Sequence, residues 1–251
     1  MHERIGLVAT NNKGEMMKIV NYYNSSDIYV KFLDEHGAVI HTTFTNFKRG
    51  EILNPYRASY YGKGYLGEGF KPTRFDKSMS CWRNMLRRCY NENFLKLHPT
   101  YNNCQVCDEW LNFQNFHIWY NDNFYIFENM EMCLDKDIIT KGNKIYSPDK
   151  CIFVPQFINK LFTTRTNDRG DYPIGVHMER GKFVAEYSVY DFENKISKIQ
   201  RIGVFDTSLE AFIAYKDMKE LYIKAVAKKF ENKLPEKLIN AMREYKVDID
   251  D

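Results

Sequence analysis

Cysteine pairs are the residues in this chain whose spacing most directly suggests chemistry. Cys104 and Cys107 are separated by two residues, a spacing that can present two thiolates to a tetrahedral Zn²⁺. Cys133 and Cys151 would lie opposite each other if the chain between them turns at Gly142-Asn143, and they could complete a four-thiolate site. Alternatively, these cysteines are small buried residues beside aromatic side chains, because one such close pair is a weak indication of zinc.

Arginine side chains offer a second chemistry, contact with phosphate groups. Residues 80–90 predict a helix whose apolar face is formed by Trp82, Met85, Leu86 and Cys89. Its arginines, which lie off that face, are Arg83, Arg87 and Arg88. They could contact DNA phosphates, or they could form a solvated face that nearby acids balance.

Histidine provides no evident catalytic centre. His98, His117 and His177 are isolated in the sequence, and no nucleophile–base–acid triad is apparent. Residues 110–120 predict a second helix, whose aromatic residues could form core or stack on bases. The glycine-rich residues 62–69 suit a loop between modules or a loop lying close to a phosphate backbone.

Short strands are predicted at both ends of the chain. Near the N-terminus, residues 4–9, 15–23, 28–33 and 39–44 alternate with turn sequences and predict a small twisted sheet or barrel, which could dock, stabilise or bind DNA. Near the other end, residues 173–229 predict a compact unit of three antiparallel strands packed on a helix: residues 183–187 and 199–205 predict two of the strands, and Asp206-Thr207-Ser208 supplies an N-cap for the helix.

The C-terminal pattern resembles the plant APETALA2/ethylene-response-factor DNA-binding domain. The matching residues are Gly175-Val176, 181–185, 202–207 and 210–215. In that family the small sheet enters the major groove, so the resemblance implies that this sheet binds double-stranded DNA. The side chains best suited to contact phosphates or guanine edges are Arg180, Lys182, Lys195, Lys198 and Arg201.

This module departs from the family in two places. Phe183 stands where the family commonly has Trp, and the loop that follows Tyr190 contains Asp191 and Glu193. These carboxylates should repel phosphates and weaken binding. A purely structural role for the module therefore stays open.

The central region resembles phage HNH endonucleases from about residue 62 to residue 165. The resemblance is carried, in order, by residues 82–90, by Glu109-Trp110 and by residues 132–161, which predict a hairpin and then a helix. Residues 46–56 are also similar to the N-terminal module of phage proteins that carry such a region. The resemblance implies a β-hairpin packed on a helix around one divalent metal.

This resemblance also implies candidate catalytic residues. The family hairpin usually has Asp-His or His-His where this chain has Asp135-Lys136-Asp137, and its helix contributes the residue corresponding to Asn159. Asp135, Asp137 and Asn159 would then hold Mg²⁺ or Mn²⁺, and Lys136 would replace the imidazole base. An exposed lysine is a poor base at neutral pH unless burial or another cation lowers its pKa, although it could act electrostatically on the scissile phosphate.

Composition limits the class of protein without selecting one. A net charge of +3 over 251 residues predicts no general affinity for nucleic acid, so DNA binding must come from local patches. The sequence shows no signal peptide and no apolar stretch approaching the ~20 residues of a membrane span. We therefore expect a soluble protein, with no membrane partner, in the cytoplasm of an infected bacterial host, with cysteines that are thiols or metal ligands.

Together these patterns predict a multidomain α+β protein. Its parts are a small β-barrel-like module at 1–60, an HNH-like region at 61–168, an APETALA2-like domain at 169–231 and a polar tail at 232–251, in which Leu238, Ile239 and Met242 predict a short amphipathic helix. Three functions remain open: a metal-dependent DNA endonuclease, a non-cleaving DNA-binding regulator, and an inhibitor of a host defence enzyme.

Overall fold

The computed structural model describes residues 2–163 and 171–251. Residues 164–168 of the predicted HNH-like region and residues 169–170 of the predicted APETALA2-like domain lie outside the described residues. The α+β class is confirmed. The chain forms two compact units, Met1–Asp122 with Ile145–Ser147 and Asn123–Lys144 with Pro148–Asp251. The finer division into three modules and a tail stays a prediction.

The first unit begins with a four-stranded antiparallel sheet in the order β1-β2-β3-β4. Its strands are Val8–Thr10 (β1), Met16–Asn24 (β2), Asp27–Phe32 (β3) and Val39–Thr42 (β4). Met17, Ile19 and Val30 are among the side chains that form its core, so alternation along the strands does place one face inward. The β-barrel-like module predicted at 1–60 is not built from strands alone, because Phe44–Arg49 forms a helix (α1) with Thr43 as its N-cap and with Gly50, in the left-handed conformation, as its C-cap. In the described residues β1 and β4 are the outer strands, so the sheet is open.

The rest of the first unit is mainly helical. Its elements are Lys77–Tyr90 (α2), Glu92–Leu97 (α3), Gln105–Val106 (β5), Asp108–Leu111 (α4), Phe113–Asn123 (α5) and Ile145–Tyr146 (β7), and β5 pairs in parallel with β7. The single helix predicted at 110–120 is wrong, since Asn112 is extended between α4 and α5. The break lets Tyr65 pair with the chain there, through Tyr65 N–H to Leu111 O at 2.9 Å and Phe113 N–H to Tyr65 O at 2.9 Å.

The glycine-rich segment packs against this helical core. A Cβ added at Gly64 would lie 2.4 Å from Leu86 Cδ1 and 2.8 Å from the ring of Trp82. Only glycine permits so close an approach, so Gly64 is explained by packing and needs no phosphate. Trp82, Trp110 and Phe113 are fully buried, which confirms that these aromatic residues are core.

The second unit contains a hairpin followed directly by a helix. Met132–Asp135 (β6) pairs antiparallel with Ile152–Pro155 (β8), and Gln156–Phe162 (α6) follows. Residues of β8 and α6 share one core with the C-terminal half of Ser208–Phe230 (α7) and with Glu236–Glu244 (α8). The predicted amphipathic helix is confirmed, and its buried Leu238, Ile239 and Met242 make the region from residue 232 part of the core.

A three-stranded antiparallel sheet completes the second unit, as predicted. Its strands are Val176–Glu179 (β9), Lys182–Asp191 (β10) and Ile196–Phe205 (β11), in the order β11-β10-β9. α7 covers one face, where Ala185 and Tyr187 pack on Ala211 and Tyr215. The helix begins at Thr207 in a capping box with Glu210, which confirms the predicted N-cap.

Candidate functional site

Helix α2 carries four cationic side chains and no carboxylate. Its apolar residues recur at spacings of three and four, and Trp82, Met85 and Leu86 are buried. The exposed residues of its opposite face are Lys77, Ser80, Arg83, Asn84 and Arg87. Cations, hydroxyls and amides are the side chains that contact DNA phosphates and base edges, so this face has suitable chemistry for DNA.

The cations of this face are not neutralised by acids within the described part of the chain. None of Lys77, Arg83 and Arg87 has a carboxylate oxygen within 4.0 Å among the described residues. Arg87 lies over the ring of Phe94, with its Cζ 5.1 Å from the ring centroid. The alternative of a face balanced by nearby acids is therefore not supported by these contacts, and the charge of the face is available to a polyanion.

The segment before α2 carries further positive charge, and its residues were not predicted from the sequence as part of a binding surface. Lys71 and Arg74 are exposed, and Asp76 is the only acid between residues 71 and 87. Its carboxylate accepts hydrogen bonds from Thr73 N–H at 2.6 Å and from Thr73 Oγ1 at 2.9 Å. The near absence of acids from residues 71–87 is the sequence feature that could have revealed this surface.

Arg88 differs from its two neighbours. It is half-buried and hydrogen-bonded to Tyr146, and its Cζ lies 5.7 Å from the ring centroid of Tyr101. Burial lowers the pKa of Arg88, but the two tyrosines outweigh burial, so that pKa lies above its ordinary value. These contacts make Arg88 a structural side chain of the first unit, in contrast to its predicted role as a phosphate ligand.

Asp135, Lys136 and Asp137 are brought together at the end of β6. Asp135 Oδ1 accepts the backbone N–H of Asp137 at 2.9 Å and of Ile138 at 2.8 Å, which closes the turn. Burial, and then the nearby Asp137 carboxylate, raise the pKa of Asp135 to about 6. Lys136 is buried, and its Nζ lies 2.9 Å from Asp137 Oδ2.

Asn159, the third metal ligand that the resemblance implies, is carried by the helix after the hairpin. It lies half-buried on α6, where its backbone carbonyl accepts a hydrogen bond from Thr163 Oγ1 at 3.1 Å. Within the residues that the structure describes, its side chain forms no hydrogen bond with Asp135 or Asp137. The hairpin and helix therefore have the predicted order, while no hydrogen bond joins Asn159 to the two aspartates among the described residues.

These donors do not fit the divalent metal that the HNH resemblance implies. Two carboxylates can suffice for Mg²⁺, but Asp135 Oδ1 already accepts two backbone N–H groups, and the Lys136 ammonium, 2.9 Å from Asp137 Oδ2, would repel a divalent cation there. Among the described residues, no group of three or more His, Cys, Asp or Glu side chains is arranged to hold a metal ion. The buried ammonium instead supplies positive charge to the pair of aspartates.

The surface beside Asp137 is also acidic. A cavity of about 320 Å³ is lined by residues that include Asp137, Lys141, Asp250 and Asp251. The Lys141 ammonium is engaged there by Asp248 at 2.6 Å and by Asp251 at 2.7 Å. Carboxylates in this number would repel a scissile phosphate, so the cavity does not favour phosphodiester binding.

The four cysteines proposed for zinc have different surroundings. Cys104 and Cys107 belong to the first unit, and Cys133 and Cys151 to the second. The predicted pairing of Cys133 with Cys151 is wrong, because the register of β6 and β8 places Cys133 opposite Val154. Burial raises the pKa of Cys107, which favours the thiol over the thiolate that zinc requires.

The cations predicted on the C-terminal sheet are largely paired with acids. Arg201 lies 3.1 Å from Glu179, Lys198 lies 2.5 Å from Asp191, and Lys182 forms an ion pair with Asp206. Asp191, which was expected to repel phosphates, pairs with Lys198 and also accepts hydrogen bonds from Asn194 within its own turn.

Two further predicted cations lie in the turns of this sheet. Arg180 connects β9 to β10 and Lys195 connects β10 to β11, and both have positive φ angles, of 51° and 55°. Both side chains are exposed. Compared with α2, the sheet thus presents fewer cations free of acidic partners on its strands.

Comparisons of this chain with family models, with curated proteins and with solved structures find no match. Among the described helices, none combines the length and the apolar character needed to cross a membrane.

Proposed function

We propose that this protein binds double-stranded DNA through the exposed face of α2 and does not cleave it. The observation that carries the proposal is the set of α2 cations without acidic partners among the described residues, Lys77, Arg83 and Arg87. Phosphate contacts of this kind supply affinity that is independent of base sequence and falls as salt rises.

The absence of cleavage is proposed from the chemistry at Asp135. The buried ammonium of Lys136 lies 2.9 Å from Asp137 and supplies positive charge to Asp135 and Asp137. The neighbouring cavity is lined by further carboxylates. Lys136, which the resemblance would assign as the base, is buried with its Nζ 2.9 Å from Asp137 Oδ2, so it is held in an internal contact and is not presented to a substrate. The hairpin and α6 then serve as scaffold in a relative of the phage nucleases that the sequence resembles.

Binding of a labelled duplex at several salt concentrations tests this proposal. The critical variant is Arg83→Gln/Arg87→Gln, and Lys198→Gln/Arg201→Gln is the matched control, because it removes the same charge from cations that already have acidic partners. We expect the α2 variant to bind every duplex more weakly and to reduce the slope of log K against log salt by about one for each phosphate that is no longer neutralised. The sheet variant should change the slope much less.

Other results would contradict specific parts of the proposal. If Lys198→Gln/Arg201→Gln loses more DNA affinity than Arg83→Gln/Arg87→Gln does, the DNA-binding surface lies on the APETALA2-like sheet. Nicking of supercoiled plasmid that requires Mg²⁺ or Mn²⁺ and is lost in Asp135→Asn would establish an endonuclease. Capture of a host defence protein by a chain that retains no DNA would favour the inhibitor hypothesis.

A further inference from the structure

Phe75 is an unusually exposed aromatic side chain at the centre of the basic segment before α2. Its side chain and backbone together are 77% exposed, the same fraction as Leu97 and more than any other large apolar residue described. Arg74 Cζ lies 4.6 Å from the centroid of the Phe75 ring. An aromatic ring in contact with a guanidinium group, among further cations, combines the two features that hold unpaired bases.

The tip that carries Phe75 is held by local hydrogen bonds. Thr73 N–H and Oγ1 both donate to Asp76, at 2.6 Å and 2.9 Å, and Phe75 N–H donates to Thr73 Oγ1 at 3.3 Å. Asp76 also precedes the first residue of α2. The ring is therefore presented from a braced turn joined to the helix, and this reduces the ordering needed on binding.

The surroundings of Phe75 favour nucleic acid over protein as the partner. Thr73, Arg74 and Lys77 beside it are exposed polar residues, so the ring is not part of a contiguous apolar patch of the size typical of protein interfaces. Phe70, the other exposed aromatic nearby, is stacked on His117 with the ring centroids 4.1 Å apart. The positive charge of residues 71–87 is complementary to a polyanion.

We propose that Phe75 stacks on an unpaired DNA base while the neighbouring cations contact the flanking phosphates. This inference rests on the proposed function and adds a preference to it: DNA that carries an unstacked base should bind more tightly than a fully paired duplex. Stacking is tolerant of base identity because every base has an aromatic face, so the preference should follow base pairing more than sequence.

The test uses the full chain with a fully paired duplex and with the same duplex carrying one unpaired fluorescent adenine analogue. We expect Phe75→Ala to weaken binding of the bulged duplex about 5- to 100-fold, with much less effect on the paired duplex. Phe75→Trp should retain the preference. Ile126→Ala is the control, because Ile126 is 75% exposed and belongs to the other unit. Stacking should also quench the analogue in the wild type and not in Phe75→Ala.

The outcomes separate this inference from the function on which it rests. If Arg83→Gln/Arg87→Gln weakens binding while Phe75→Ala binds both duplexes as the wild type does, the stacking site is refuted and the α2 interface stands. If the wild type retains neither duplex, both proposals fail. If Phe75→Ala loses only the capture of a host protein, Phe75 belongs to a protein interface and the inference is overturned.

Discussion

Replacement of Asp135 by Asn is predicted to stabilise the protein at neutral pH. Asp135 lies at the end of β6, and its Oδ1 accepts two backbone hydrogen bonds from Asp137 and Ile138. An amide oxygen can accept the same bonds, so the turn should be kept. What the substitution removes is the negative charge that burial and the nearby Asp137 carboxylate disfavour.

The magnitude follows from the difference between the folded and unfolded pKa of Asp135. The pKa is raised from 3.8 to about 6 in the folded chain, so the folded state binds more protons between these values. The contribution of Asp135 to the free energy of unfolding therefore falls as pH rises through this range. A difference of about two pH units corresponds to about 3 kcal/mol, which is the upper limit of the gain expected for Asp135→Asn at neutral pH.

Urea unfolding of the wild type and Asp135→Asn, from about pH 4 to about pH 7.5, measures this effect as a difference in free energy. Taking the difference cancels the titration of groups that do not interact with Asp135. Asp137→Asn is the companion variant: it removes the carboxylate next to Asp135, so the titration should persist at lower pH. An Asp135→Asn protein that gains no stability over the wild type as pH rises would refute the assignment of a raised pKa to Asp135.

Three further predictions concern the second unit. Burial raises the pKa of Glu220, but hydrogen bonds from Lys246 and its other partners outweigh burial and lower that pKa to about 2. Glu220→Gln should therefore lower the free energy of unfolding by about 2–3 kcal/mol at neutral pH, and calorimetry should show this difference vanishing as pH falls from 4.5 towards 2. Burial lowers the pKa of Lys219 to about 8, so unfolding in urea at neutral pH should show Lys219→Met to be more stable by up to about 3 kcal/mol, and the gain should shrink as pH rises from 8 to 10.5. Gly175→Ala should lower the thermal unfolding midpoint, at a cost of roughly 2–4 kcal/mol in stability, because φ is +76° and the new Cβ would lie 2.0 Å from the ring of Tyr215. For each of these three variants, unchanged stability would contradict the interaction on which its prediction rests.

Local patterns were sufficient to predict several elements of the fold. The strand at residues 183–187, the N-cap at Thr207 and the apolar spacing in α2 depend on neighbouring residues, and each is present as expected. The order of hairpin and helix at 132–162 was also predicted. Such features depend on backbone periodicity and capping, which a single sequence records directly.

Features that depend on distant partners could not be predicted in the same way. The helix break at Asn112 exists because Tyr65 pairs with the chain there, and the register of Cys133 with Val154 is set by the whole connection between β6 and β8. The sequence also did not determine whether the Lys136 side chain would be exposed or buried. Its burial beside Asp137 changes its interpretation from a catalytic base to an internal counter-charge.

The distribution of ion pairs, more than the number of cations, distinguishes the two candidate DNA-binding surfaces. An exposed pair such as Arg201 with Glu179 is worth at most about 1 kcal/mol, so a phosphate could displace the carboxylate. The displaced carboxylate would nevertheless remain close to the phosphate and repel it. On α2, Arg83 and Arg87 carry no such opposing charge among the described residues. A phosphate contact there gains attraction without that repulsion, and for this reason the proposed interface is placed on α2, although the APETALA2 resemblance implies that the sheet binds DNA.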